Sequence, residues 1–154
     1  MSAFLPPDDP SPGCPLCAEC GGVPVFQSAH WRVIRAEESS FPAYYRVVWR
    51  AHRSEWSDLS PTEQAALLAP VNTVERVLRE CLAPTKINLA SLGNVVPHLH
   101  WHVIARFDWD SHFPAPVWGA AVRTVADPAA RLALPLPTLD GRVARAVAAL
   151  APAA

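Results

Sequence analysis

The sequence predicts a mixed domain in which short β-strands pack under one long helix. Three observations carry this. Two stretches of hairpin pattern flank a single capped, amphipathic helical segment. One strand, Val95 to Arg106 (VVPHLHWHVIAR), carries His98, His100 and His102 at strict two-residue spacing, the side-chain period of a strand. The composition, 51% hydrophobic with 18% charged residues over 154 residues, suits one globular domain large enough to bury its own core.

In chain order, Met1 to Gly13 is acidic and Pro-rich and predicts a loosely held arm. Without a basic start or an apolar stretch it is not a secretory signal, and no apolar run reaches the length of a membrane span, so a cytoplasmic protein is expected. Cys14-Pro-Leu-Cys17 follows, with Cys20 and Gly21-Gly22 close behind. In that compartment a Cys-x-x-Cys is a metal knuckle, a redox pair or two ordinary thiols at a turn, and a tetrahedral zinc would need two further ligands from elsewhere. Cys20 is an alternative ligand or a bystander. Val23 to Phe26 and Trp31 to Arg35 form a predicted hairpin, Glu37 to Pro42 a loop, and Tyr44 to Trp49 (YYRVVW) a further strand leading to His52.

Ser60-Pro61-Thr62-Glu63 starts the helix with a Ser cap, Pro at the first helical position and a Glu that completes a capping box. Leu67, Val71, Val74, Leu78 and Cys81 form one apolar stripe, which predicts that the helix covers a sheet face. Pro70 inside it predicts a lost hydrogen bond and a kink, or a helix in two pieces. After Ala83-Pro84, Lys86 to Leu92 is a strand, and Gly93-Asn94 is a turn signal that pairs it with the histidine strand. Beyond Arg106 the chain is dense in aromatics and prolines, and from residue 124 it is an Ala/Pro-rich tail with one short helix over Leu139 to Leu150.

On a strand, the three imidazoles share one face while Leu99, Trp101 and Val103 turn to the other. Such a ladder is a half-exposed strand by accident, a metal site, or a catalytic or phosphate-binding face in which imidazole serves as nucleophile, acid or donor. Chance is disfavoured by three histidines in perfect alternation within an apolar strand. A net charge of −1 with no Lys/Arg run argues against a dedicated nucleic-acid or anionic-membrane binder. Trp109, Phe113 and Trp118 are many large aromatics for a solvated loop and predict an interface or a pocket wall.

His98-Leu-His100-Trp-His102-Val-Ile resembles the motif of the histidine triad family of nucleotide hydrolases and transferases, His-φ-His-φ-His-φ-φ with φ apolar, at all seven positions. Asn88, Gly93-Asn94 and the Pro-Val-Trp ending at Trp118 resemble its surroundings, and the similarity runs from Cys14 to about Arg123. The resemblance implies an α+β fold with an antiparallel sheet of about five strands, one long helix and usually a homodimer. It divides the chain into an arm (1–13), a triad domain (14–123) and a tail (124–154). It implies that His100 attacks the α-phosphate of a nucleotide substrate to form a nucleotidyl-histidine, that His98 and His102 bond phosphate oxygens and leaving group, and that Asn88, Asn94 and Trp118 contact substrate. Some members also hold a structural zinc (Zn2+), through residues matched here by Cys14, Cys17, His52 and His98. The chain departs from the family in having Val95 where many members have Ser, and Ala43-Tyr44 where many have Gly-His. The acidic ribose-binding residue has only Glu37 as its nearest match. The alternative implied by Val95 is a nucleotide-binding regulatory protein with little turnover.

Overall fold

A computed structural model describes residues 4–150, so the first three residues of the N-terminal arm and the last four of the tail lie outside it. A five-stranded, wholly antiparallel sheet has the order β1-β2-β3-β5-β4, from β1 (Val23–Gln27), β2 (Trp31–Arg35), β3 (Tyr44–Trp49), β4 (Lys86–Ser91) and β5 (His100–Arg106). The α+β expectation holds, and β5 lies inside the sheet between β3 and β4.

Alternation divides the sheet into two faces. Val33, Tyr45, Val47, Trp49 and Val103 face the long helix α2 (Pro61–Leu82), whose Leu67, Val71, Val74 and Leu78 complete the main core. The predicted cap is present: Ser60 Oγ accepts from Glu63 N–H at 3.3 Å and Glu63 Oε2 accepts from Ser60 N–H at 2.8 Å. The helix continues through Pro70 as one element, with that ring buried in its apolar stripe. It ends at Ala83, which adopts a left-handed φ of 46°, one residue before Pro84.

The C-terminal helix α3 (Leu136–Ala148) begins three residues earlier than the sequence indicates, and Leu139, Val143 and Val147 enter the same core. Asp140 fastens it to the sheet, accepting from Tyr45 Oη at 2.7 Å and Arg35 Nε at 3.0 Å. The N-terminal arm is tethered too, by Arg50, whose guanidinium reaches the Pro6 carbonyl and the Asp8 carboxylate.

One expectation is corrected. No two-residue turn joins β4 to β5; the chain runs irregularly from Leu92 to Leu99 before pairing starts at His100. Pro97 explains this, since it has no N–H to give the ladder. His98 therefore precedes the strand instead of lying within it. Of the three loop aromatics, Trp109 is stacked on Phe107 and covered by Arg131, and Phe113 lies against Arg106, so only Trp118 is widely exposed, at 56%.

Candidate active site and metal-binding cluster

The sheet face away from α2 carries the site. On β5, His100 and His102 point to it; on β3, Tyr44, Arg46 and Val48 do, with Val48 opposite His100 and Arg46 opposite His102. Together with the Leu92–Val96 segment and the loop at Trp118, they bound a cavity of about 740 Å³, within the range that holds a drug-sized or nucleotide-sized molecule. His100 and His102 are buried in its floor, their ring centroids 4.7 Å apart, and Trp118 meets the edge of His102 at 5.7 Å.

Hydrogen bonds fix how each imidazole is protonated. His100 Nδ1 lies 2.5 Å from the His98 carbonyl oxygen, which can only accept, so Nδ1 carries the proton and the lone pair is on Nε2. Tyr44 Oη lies 2.6 Å from His102 Nδ1. The Arg46 guanidinium beside Tyr44 can only donate, so the arrangement in which the hydroxyl proton finds an acceptor has Tyr44 donating to Nδ1 and Nε2–H of His102 left as a donor. Burial raises the Tyr44 hydroxyl above its ordinary range and keeps it protonated. His102 is pushed down to about 3 by burial, with His100 and Arg46 adding to the effect. Burial and the guanidinium groups of Arg46 and Arg32 also lower His100, partly opposed by the bond to the His98 carbonyl. Both imidazoles are thus neutral at pH 7, one presenting a nucleophilic nitrogen and the other an N–H.

The third histidine is turned to a different task. His98 Nε2 donates to the Trp49 carbonyl at 2.7 Å, so its lone pair is on Nδ1, 3.4 Å from Cys14 Sγ and 3.5 Å from Cys17 Sγ. His52 Nδ1 is 3.4 Å from Cys17 Sγ. The donor atoms of Cys14, Cys17, His52 and His98 all lie within 4.8 Å of one another, close enough to hold a metal ion. A tetrahedral zinc with usual bond lengths separates sulfur and nitrogen ligands by about 3.5 Å, so the donor set fits. The backbone bond at His98 Nε2 is the outer contact that fixes a ligating imidazole.

The knuckle itself is a single helical turn, α1 (Pro15–Ala18), with Cys14 as its cap residue. Arg32 pins it from below, donating to the carbonyls of Leu16, Glu19 and Cys20. Gly21 follows with φ of 90°, a conformation favouring glycine, and a Cβ there would come within 2.6 Å of Leu16. Cys20 contributes its carbonyl to Arg32 and is not in the ligand cluster, so it is a bystander.

Of the other expected site residues, Asn94 and Trp118 line the main cavity. Asn88 does not. It stands opposite Ile104, one pair beyond His102, and its Oδ1 accepts from Arg106 Nη1 at 2.8 Å, beside a shallower depression that shares the Trp118 wall. Glu38, one residue past the expected Glu37, is the carboxylate in the cavity wall. Tyr44 stands out in the sequence only as a departure from the family's Gly-His and Arg46 not at all, although a charged residue at the centre of YYRVVW, in phase with Tyr44, marks a polar position on a face that is otherwise apolar.

The sequence model of the HIT domain matches residues 19–109. A histidine triad protein from Bradyrhizobium japonicum is similar in structure, with 29% identity and a TM-score of 0.68 over 82% of this chain and 91% of that one. One from Sinorhizobium meliloti 1021 has 29% identity and a TM-score of 0.64 over 82% and 90%. A third, from Marinobacter aquaeolei VT8, has 24% identity and a TM-score of 0.67 over 86% and 93%. No curated protein matches the chain. The domain match spans more than half of the sequence and includes all three histidines, and with the sheet, the paired imidazoles and the cavity it shows that this chain belongs to the histidine triad family, whose functions are of the nucleotide-binding and hydrolase type.

Proposed function

We propose that the protein is a nucleotide hydrolase or nucleotidyltransferase that cleaves a phosphoanhydride or phosphoramidate at the α-phosphate through a nucleotidyl group on His100. The observation that carries this is the hydrogen bond from His100 Nδ1 to the His98 carbonyl, which leaves an uncharged, lone-pair-bearing Nε2 on the cavity floor. That nitrogen attacks the α-phosphorus. As the new P–N bond forms, the bond to the leaving group breaks and its electron pair departs with that group. Water, or another acceptor, then attacks the same phosphorus and gives up its proton to solvent, and the pair of the P–N bond returns to His100. His102 Nε2–H and the Asn94 amide donate to the phosphate oxygens as charge develops on them.

In this reading His98 serves as a ligand, not a phosphate donor, and Cys14, Cys17, His52 and His98 would hold zinc as a closed four-ligand site. The metal would supply structure by fixing the knuckle against the strand that carries His100. Four free thiols among the described residues suit the reducing cytoplasm, and no described helix is long and apolar enough to cross a membrane. Two copies join into a homodimer, a proposal supported by the exposed Leu89, Leu92 and Trp118 along the β4 side of the sheet; sedimentation as a monomer at micromolar concentration would end it.

A regulatory nucleotide binder with little turnover is the second reading. What favours it is Val95, which is 93% exposed and offers no hydroxyl at the cavity mouth. Mass spectrometry after acid-free quenching with a panel of adenine and guanine substrates separates the two. A covalent nucleotide adduct supports the enzyme, and binding with no adduct and no mononucleotide release supports the regulator.

A further inference from the structure

We propose that Arg46 is the counter-charge for a second phosphate beside the one attacked, so that the site selects nucleoside polyphosphate anhydrides over phosphoramidates.

This deepens the proposed function and rests on it. Arg46 sits on β3 directly opposite His102, so the two side chains share a face and a cavity. Its guanidinium lies over the Tyr44 ring at 5.3 Å. Among the described residues it enters none of the ion pairs, which join Arg35, Arg50, Arg79 and Arg106 to carboxylates, and its buried Nε has no hydrogen-bond partner. A cation half sunk in the central part of a sheet without an anion is costly unless an anionic ligand completes it. A planar fork of donors aimed into a cavity is suited to phosphate oxygens.

The leaving group decides which phosphate this serves. Anhydride cleavage expels a phosphate that departs with added negative charge and needs a cation, whereas phosphoramidate cleavage expels an amine that needs a proton. Arg46 supplies the first. For the second, Val95 at the cavity mouth adds no hydroxyl and turns to solvent, which leaves only the N–H of the neutral His102 facing the cavity beside it.

The test compares wild type, Arg46→Gln and Arg46→Lys on a dinucleoside tetraphosphate and on a nucleoside phosphoramidate, with adenine and guanine forms in parallel. Arg46→Gln is expected to lower kcat/KM for the tetraphosphate by about a hundredfold or more and for the phosphoramidate by less than about tenfold. Lysine, which keeps the charge but not the fork, is expected to restore part of the difference. An equal fall on both substrates, or no fall, overturns the proposal. Should Arg46→Gln not fold, Arg46→Lys alone carries the same comparison, with a smaller change in the ratio. If wild type turns over neither substrate, the proposed function fails while calorimetric binding of ADP and AMP still decides the role of Arg46. Loss of at least about tenfold for ADP with a clearly smaller loss for AMP supports the second-phosphate contact, and equal losses or no binding of either nucleotide overturn it.

Discussion

The Tyr44 hydroxyl donates to His102 Nδ1 across 2.6 Å, from a strand position at which the family resemblance leads to an expected His. Tyrosine suits the place because its ring packs with Ala36, Phe41 and Ile104 while its oxygen reaches the imidazole. The bond sets which nitrogen of His102 faces substrate.

Tyr44→Phe is expected to keep the fold and lower kcat about ten- to a hundredfold, the scale of losing a group that orients a functional imidazole, with a smaller change in KM. Tyr44→His is expected to recover part of the loss, because a ring nitrogen can reach the same partner. Steady-state kinetics of the three proteins check this, and a Phe variant as active as wild type would show that His102 needs no such support.

The cysteine and histidine cluster predicts about one zinc per chain in protein purified without chelator. Removing the metal, or replacing Cys17 by Ala, is expected to lower Tm by about 10 °C or more, since a structural zinc contributes several kcal/mol and about 1 kcal/mol moves a chain of this size by about 2–4 °C. Nucleotide affinity should change less, because none of the four ligands lines the cavity and the knuckle contributes only Pro15, Leu16 and Gly21 to its wall. Metal analysis well below one equivalent would remove the zinc proposal.

Much of this was written in local pattern. Ser60, Pro61 and Glu63 specify where α2 starts because their bonds are made within four residues, and period-two spacing brings His100 and His102 to one face whatever the strand pairs with. Cys14 and Cys17 were legible as a pair, but their meeting with His98, more than eighty residues later, could be inferred only through family resemblance. Other features depend on distant partners and leave no local trace. Asn88 is occupied by Arg106, Arg46 becomes a site residue only because β3 pairs with β5, and Pro97 holds His98 out of the strand in which alternation puts it. The Ala/Pro-rich composition of the tail masked how fully Leu139, Val143 and Val147, four residues apart, enter the core.

Acid stability rests in part on Asp110. Its buried carboxylate accepts from Arg106 Nε at 2.8 Å and Nη2 at 3.1 Å, and from the backbone N–H groups of Phe107, His112 and Phe113. Burial by itself would raise its pKa, but these donors outweigh it and hold the group below the usual carboxylate range. A lowered folded-state value means that the unfolded chain takes up the proton first as pH falls. The contribution is therefore complete above about pH 5 and declines through the unfolded value near 3.9 toward the lower folded one. Asp110→Asn is expected to cost about 3–5 kcal/mol at pH 7, by leaving the buried Arg106 without a counter-charge, and to flatten the acid dependence. Urea unfolding between pH 7 and 3 measures both.

His100 and His102 should separate chemistry from binding. His100→Ala or His100→Asn removes the nitrogen that would carry the nucleotide, so turnover should be abolished while nucleotide binding is largely kept through His102, Asn94 and Arg46. His102→Ala removes a donor to the phosphate as well as support for the leaving group, so both binding and turnover should fall, turnover by about one to three orders of magnitude. Rapid quenching of wild type with substrate and peptide mapping should find the nucleotide on the peptide that contains His100. If a metal-bound water were the nucleophile instead, chelation would stop the reaction and no peptide would carry nucleotide. Cys14, Cys17, His52 and His98 would supply a metal with four protein ligands, and His98 would then be engaged there, so a metal held by all four would have no position to spare for a water facing substrate. Full activity in His100→Ala would end the covalent route.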